Sequence, residues 1–367
     1  MIRNGSRYRR RNAAAPPAAA ICHRGERASR QNQKPRASGA LLISRFFRSR
    51  RKDVGKKSRI IMNRNPRKQH IISQMHLRHF CDRDGDLYVY EKGKEVRKST
   101  PPNEAVKRDY FECKVPGYET NFAVEKMLGR LEYAASKVYK KLLSGERPSG
   151  EEAAAWTLYV ASLFLRSRKV RDELSPVAYS ESTLGQLDLA ALKEDQWQIF
   201  TQHGRLVSLD DLKTAKSKVL AAFSDPALRQ ITSLNYSTPN LAGALGTKRW
   251  QVVRPALGLH FVTSDAPAVT FCLREGGHSS VGMGWGHEET HVAIPLDPQH
   301  LFLATPSNIQ WVSPLNEENT IAFMGTMAQF SYRNVYAHTA DVKVQELVEQ
   351  HSGTLIFGRD AYVASVA

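Results

Sequence analysis

A chain of 367 residues, 41% hydrophobic, is long enough to bury a sizeable core. Its formal charge of +17 looks like a nucleic-acid signal, but residues 1–61 hold 18 of the 53 Lys and Arg against two acids, Glu26 and Asp53, a net +16, while the other 306 residues are net +1. The near-neutral body gives no support to a nucleic-acid partner, and the longest apolar stretch, Ala153–Leu165 (13 residues), is short of the ~20 needed to cross a bilayer.

The basic N-terminal segment contains Arg7, Arg9, Arg10 and Arg11, an Ala/Pro stretch from Ala13 to Ala20, and a second basic run from Arg45 to Arg59. Low apolar content and self-repulsion predict a disordered tail over 1–61. Three readings compete: a nucleic-acid-binding arm, an organelle transit peptide, and translation that really begins at Met62. The third is favoured because the upstream text has no hydrophobic periodicity. No secretory signal is expected, since Pro16 and Pro17 interrupt the Ala-rich segment, so the expected compartment is the cytoplasm. Cys22, Cys81, Cys113 and Cys272 form no C-x-x-C pair and are expected to be buried free thiols.

Residues 62–367 read as a single body. Leu87–Tyr90 and Lys94–Arg97 flank Gly93 as a hairpin, and Tyr110 and Phe111 begin another strand. From Phe122, apolar residues at Val124, Leu128, Leu131, Ala135, Val138 and Leu142 have helical spacing, and Gly145 stops them. Ser149 with Glu152 forms a capping box that opens a second long helix, striped by Trp156, Tyr159, Val160, Leu163 and Phe164 and ending before Pro176. Further helices are expected at Leu189–Phe200, Ser208–Phe223 and Pro226–Leu234, completing a helical centre over 122–235. Strands follow at Trp250–Val253, His260–Thr263, Ala268–Leu273, His291–Leu296 and Leu301–Thr305, the last two joined by an Asp297-Pro298-Gln299 turn. Helices return at Glu317–Tyr336 and Asp341–Gln350, Gly353 stops the latter, and Leu355–Phe357 forms a closing strand. The fold class is therefore α+β: short strands within 62–121, a central helical bundle, and a β-rich final third with terminal helices.

The segment Lys68–Phe80, K-Q-H-I-I-S-Q-M-H-L-R-H-F, places three histidines and an arginine in an otherwise apolar run. With His70 and Arg78, the carboxylates Glu125, Glu132 and Asp265 are the groups on which a site would be built. Imidazole serves as metal ligand or general base, Arg grips an oxyanion through its planar fork, and carboxylates bind metal or orient imidazole. Each has a structural alternative. His70 caps an element end, Arg78 pairs with a carboxylate, and at least one of Glu125 and Glu132, ~10 Å apart along one helix face, belongs to a solvated ion-paired surface. Asp265 sits at a strand end, where an Asx-turn suits it as well as a ligand does.

His287-Glu-Glu-Thr-His291 matches H-E-x-x-H, with Glu317 as a conceivable third zinc ligand. That chemistry needs a helix, whereas Gly282, Gly284 and Gly286 before it and Pro295 after it argue for turn and strand. The glycines near 243 and 284 lack the spacing of phosphate-binding loops, and no G-x-S-x-G elbow occurs.

Gln69, His70, Gln74, Leu77, Arg78 and Phe80 resemble the opening motif of domain-of-unknown-function family 4238, an uncharacterised bacterial family, with Ile71, Ile72, Ser73 and His76 departing from it. Val124–Glu132 is similar to the family's paired-glutamate helix, Phe261–Pro267 to its F-x-T-S-D-x-P element, and Ile294–Pro298 to its P-L-x-P strand. The resemblance begins just after Met62 and implies no reaction, cofactor, partner or catalytic residue. From the residues themselves, the expectation is a soluble phosphodiesterase-like hydrolase. His70 is base or metal ligand, Arg78 holds an oxyanion, and Glu132 and Asp265 complete the site. The alternatives are a noncatalytic binding or regulatory protein, in which the same groups knit helices to sheets, and a zinc hydrolase through His287 and His291.

Overall fold

The computed structural model describes residues 68–104, 106–113, 122–173, 225–274, 277–279 and 284–353, with 210, 214 and 217. The basic segment 1–61, Cys22, the helix expected at Leu189–Phe200, most of that at Ser208–Phe223, and the strand at Leu355–Phe357 lie outside these residues.

Strand β1 (Lys68–His70) pairs antiparallel with β4 (Val106–Arg108), His70 opposite Val106. Between them lie the short helix α1 (Gln74–Arg78) and a hairpin of β2 (Leu87–Glu91) and β3 (Arg97–Ser99). A turn closed by the Lys94 amide on the Glu91 carbonyl, with Gly93 at φ 73°, displaces β3 from the expected Lys94–Arg97. The strand expected at Tyr110 lies earlier, at β4, because Tyr110 and Phe111 are core residues in a turn after it.

Helices α2 (Phe122–Leu143) and α3 (Gly150–Leu165) follow. The Ser149–Glu152 capping box opens α3: the Glu152 amide donates to Ser149 Oγ and the Ser149 amide to Glu152 Oε2. Ser149→Ala should cost about 1 kcal/mol in a urea denaturation curve, without a change of slope. The second long helix ends at Leu165, before Pro176 as expected. Ser167 accepts from the Val170 amide and so caps a new helix, α4 (Arg168–Glu173), leaving Arg166 at the joint.

Helix α5 (Pro226–Gly246) begins at Asp225, which accepts from the Ala227 and Leu228 amides. It runs past the expected Leu234 and through Pro239, because Ala242 and Leu245 bury against the core shared with α3 and offset the backbone bond that proline cannot make.

The remaining strands are β5 (Arg249–Val253), β6 (Thr263–Ser264), β7 (Val269–Arg274), β8 (Gly277–Ser279), β9 (Thr290–Asp297), β10 (His300–Thr305) and β11 (Asn334–Ala337), with helices α6 (Glu317–Phe330) and α7 (Val342–His351). One antiparallel sheet has the order β5-β10-β9-β7-β8 and another β3-β2-β11-β6. The Asp297–His300 turn is as expected, with the Gln299 amide donating to Asp297 Oδ1. Along β9, Val292, Ile294 and Leu296 pack into a core with Trp156 and Leu245, while Ala293 faces a second core with Phe323 and Met327 of α6. The five-stranded sheet is thus covered on both faces, which explains an uninterrupted apolar run where a one-sided sheet would alternate with polar residues.

Two expectations give way to tertiary contacts. The strand at His260–Thr263 contracts to Thr263–Ser264. The helix expected over Glu317–Tyr336 stops at Phe330, and Val335 to Ala337 enter the four-stranded sheet between β2 and β6. Cys81, Cys113 and Cys272 are free thiols, the last two buried. Among the described residues no helix is long and apolar enough to cross a membrane.

Candidate functional site

Helix α1 presents Gln74 and Arg78 one turn apart on one side, with His70 one turn before them. Arg78 Nη2 donates to Gln74 Oε1 at 2.8 Å, and Gln74 Nε2 donates to His70 Nε2. The His70 imidazole in this relay is an acceptor at Nε2 and therefore neutral. Burial lowers its pKa; the neighbouring Glu132 carboxylate opposes the shift, and Arg166 and Arg78 reinforce it. Arg78 is exposed, Gln74 and His70 are half-buried, and the polar file continues inward.

Its inner end is Arg166, 1% exposed, whose Nη1 donates to Glu132 Oε1 at 2.8 Å. The position follows from the local sequence: Arg166 is the residue at which the apolar helix α3 ends, so its backbone is already in the core and its side chain cannot reach water. Its carbonyl accepts from the Tyr110 hydroxyl, which in turn accepts from Gln230. Glu125, two turns before Glu132 on α2, also faces the guanidinium; burial raises its pKa, Glu132 adds to the shift, and Arg166 opposes it. Of the two glutamates, Glu132 is ion-paired, as expected of at least one of them, but its partner is a buried cation, and Glu125 lies in the field of that same cation. Tyr159 of α3 feels the same Arg166 and Glu132 charges, and burial raises its pKa.

His70, Arg78 and Glu132 are thus brought to one region; Asp265 is engaged elsewhere. Its carboxylate accepts from the Tyr332, Arg333 and Asn334 amides at 2.7, 2.9 and 3.1 Å. Its own amide donates to the Asn334 carbonyl. Among the described residues no hydrogen bond or ion pair links it to His70, Arg78 or Glu132. Burial outweighs the three amides and pushes its carboxyl up to about 6. This is the Asx-like alternative in tertiary form, joining β6 to the start of β11.

His76, which replaces the aromatic usual in the resembling motif, is fully buried and bonded at both nitrogens. Nδ1 meets the Tyr139 hydroxyl and Nε2 that of Thr263, each at 2.8 Å. Since Tyr139 donates to the Leu296 carbonyl, its oxygen accepts from His76 Nδ1, and Thr263 donates to Nε2. Burial, then His79 and Arg166, lower the His76 pKa to about 3.

The H-E-x-x-H segment is a turn running into β9. His287 is exposed and accepts from the Glu289 amide, whereas His291 is buried, its ring stacked on Phe271 with centroids 4.7 Å apart. Glu317 opens α6 and pairs with Lys343. The helical spacing that zinc hydrolysis needs is missing there, and among the described residues no group of three or more His, Cys, Asp or Glu could hold a metal. A cleft of about 920 Å³, lined by Leu142, Arg147, Lys248, Trp250 and Phe302, contains none of the expected site residues.

Arg166 and Tyr159 are the groups that sequence reasoning missed. The available signal was an arginine placed directly after thirteen largely apolar residues, a position where its backbone had to be buried. No curated protein and no solved structure matches the chain. Residues 68–341, a span that takes in the polar file, Asp265 and β11, match the family described as Protein of unknown function, and the chain therefore belongs to DUF4238.

Proposed function

We propose that the protein is a hydrolase that carries out acid–base chemistry on an anionic ester of the phosphodiester class. One observation carries this reading: His70, half-buried and accepting from Gln74, lies in the field of the Glu132–Arg166 ion pair, while Glu125, in the field of the same pair, is pushed toward its protonated form. Environments that drive an imidazole and a carboxyl in these directions suit a base and an acid near neutral pH. Water displaces the Gln74 amide at His70 Nε2 and gives up a proton there as its oxygen attacks phosphorus. The ester P–O bond breaks, and the leaving oxygen takes the proton of Glu125. Arg78 stands at the mouth as an electrostatic guide. The free thiols favour a reducing compartment, so the reading also places the protein in the cytoplasm.

The test is turnover of bis(p-nitrophenyl) phosphate by wild type and His70→Ala. Loss of a general base should lower kcat/KM by about 100-fold or more; equal rates in the two proteins end the hydrolase reading. The noncatalytic alternative is favoured by the Glu132–Arg166 pair, which already satisfies one edge of the buried charge. Under it wild type shows no turnover, and His70→Ala lowers thermal stability alone.

A further inference from the structure

Buried polar atoms without hydrogen-bond partners are rare, and several of them occur around Arg166. Its Nε and Nη2 have none, nor do Glu125 Oε1, Tyr159 Oη and Ser73 Oγ. Arg166, Tyr159 and Ser73 are each at most 1% exposed. Glu125 and Tyr159 both lie in the field of Arg166, and the Tyr159 hydroxyl faces Ser73, near enough to interact but outside hydrogen-bonding geometry. Three elements supply these groups: the start of α1, the inner face of α2 and the end of α3. On Arg166, Nη1 is taken by Glu132, so the unpartnered pair Nε and Nη2 is the whole side edge of the guanidinium, two parallel donors at the spacing of two oxygens on one centre.

The geometry points to an oxyanion-binding site at this edge, with Arg166 as a bidentate clamp and the hydroxyls of Ser73 and Tyr159 as further donors. A carboxylate puts both its oxygens on the fork and can offer the hydroxyls only the second lone pair of each, in its own plane. A tetrahedral phosphodiester has four oxygens, two held by the fork and two for the hydroxyls or for Glu125 in its protonated form. A monoanion also fits the charge, since Glu132 already neutralises Arg166 and, among the described residues, the exposed Arg78 adds a positive group near His70. Entry is past His70, Gln74 and Glu132, the half-buried members of the file. As a substrate site the assignment rests on the hydrolase reading; as a binding site it is tested on its own.

The experiment is calorimetric titration of the full chain with dimethyl phosphate, and with acetate in parallel, for wild type, Tyr159→Phe and Arg166→Lys, with circular dichroism to verify folding. Wild type should bind dimethyl phosphate more tightly than acetate. Tyr159→Phe, which removes one hydroxyl and keeps the ring, should weaken that binding by up to about tenfold. Arg166→Lys, which keeps the charge and loses the fork, should weaken it by at least about tenfold; if that variant does not fold, Tyr159→Phe decides. The site is overturned if wild type binds neither anion, if acetate binds as tightly as dimethyl phosphate, or if folded variants bind like wild type. Binding without turnover of bis(p-nitrophenyl) phosphate supports the site and refutes the hydrolase. Turnover unaffected by either substitution refutes the site and leaves the hydrolase standing.

Discussion

Replacing Asp265 by Ala should lower the free energy of unfolding by about 3–5 kcal/mol, because it strips the acceptor from three main-chain amides at once. Each of these amides lies at the join between α6 and β11, where an unpaired buried donor would cost ~1–3 kcal/mol and water recovers part of that at these partly exposed residues. Asp265→Asn keeps one acceptor oxygen and turns an NH2 toward donors, so it should recover no more than about half of the loss. Urea denaturation measures both variants, with an unchanged slope confirming that the denatured state is the same. Dimethyl phosphate binding by the folded fraction should equal that of wild type, since the carboxylate is bonded away from the polar file. A loss below about 1 kcal/mol would show that the three amides find other acceptors.

The second large effect is a pH dependence centred on His76. Its folded pKa of about 3 lies below the ordinary value of 6.5, so between these limits the unfolded chain binds a proton that the folded chain refuses. Stability supplied by the neutral imidazole is complete above pH ~6.5 and is lost as pH falls toward 3, to a total on the order of 4–5 kcal/mol. His70, His79 and His338, whose pKa values burial also lowers, act in the same direction. Asp265 acts against them. Its carboxyl, raised to about 6, gains stability as pH falls from about 6 toward its ordinary 3.8. The measurement is therefore a difference: unfolding free energy from pH 7.5 to 4 for wild type and His76→Gln, which has no titrating ring. The variant should be less stable at pH 7.5, and the gap should close on acidification. A gap that stays constant would show that the ring is not protonated on unfolding in this range.

Local pattern carried the helices that amphipathic spacing and caps define. The apolar positions Val124 to Leu142 mark the buried stripe of α2, and Ser149 with Glu152 marks the first turn of α3. Four strands of the five-stranded sheet, β5, β7, β9 and β10, were legible for a similar reason, as β-branched and aromatic runs bounded by turn residues, whereas β8 was not expected. Elements decided by distant partners were not. Nothing near Val335 announces a strand; it becomes one because β2 and β6 lie on either side. The helix expected to end at Leu234 runs on through Pro239, where burial of Ala242 and Leu245 offsets the lost backbone bond. At the candidate site the same division holds. The spacing of His70, Gln74 and Arg78 within one short segment was visible, and so was a backbone-binding role for Asp265, though not its distant partners at 332–334, whereas Arg166 joins the file only through the packing of α3 against α2.

The late insertion of β11 has a consequence for synthesis. Its neighbour β2 leaves the ribosome long before it, and the hydroxyl of Tyr90 waits for a carbonyl 249 positions downstream, at Thr339. Until Asn334–Ala337 emerges, the hairpin of β2 and β3 has both edges unpaired and no third strand, too little for independent stability. Nascent chains that stop before Asn334 should accordingly aggregate or recruit chaperones, and release from that state should coincide with translation of the final strand rather than grow gradually with length.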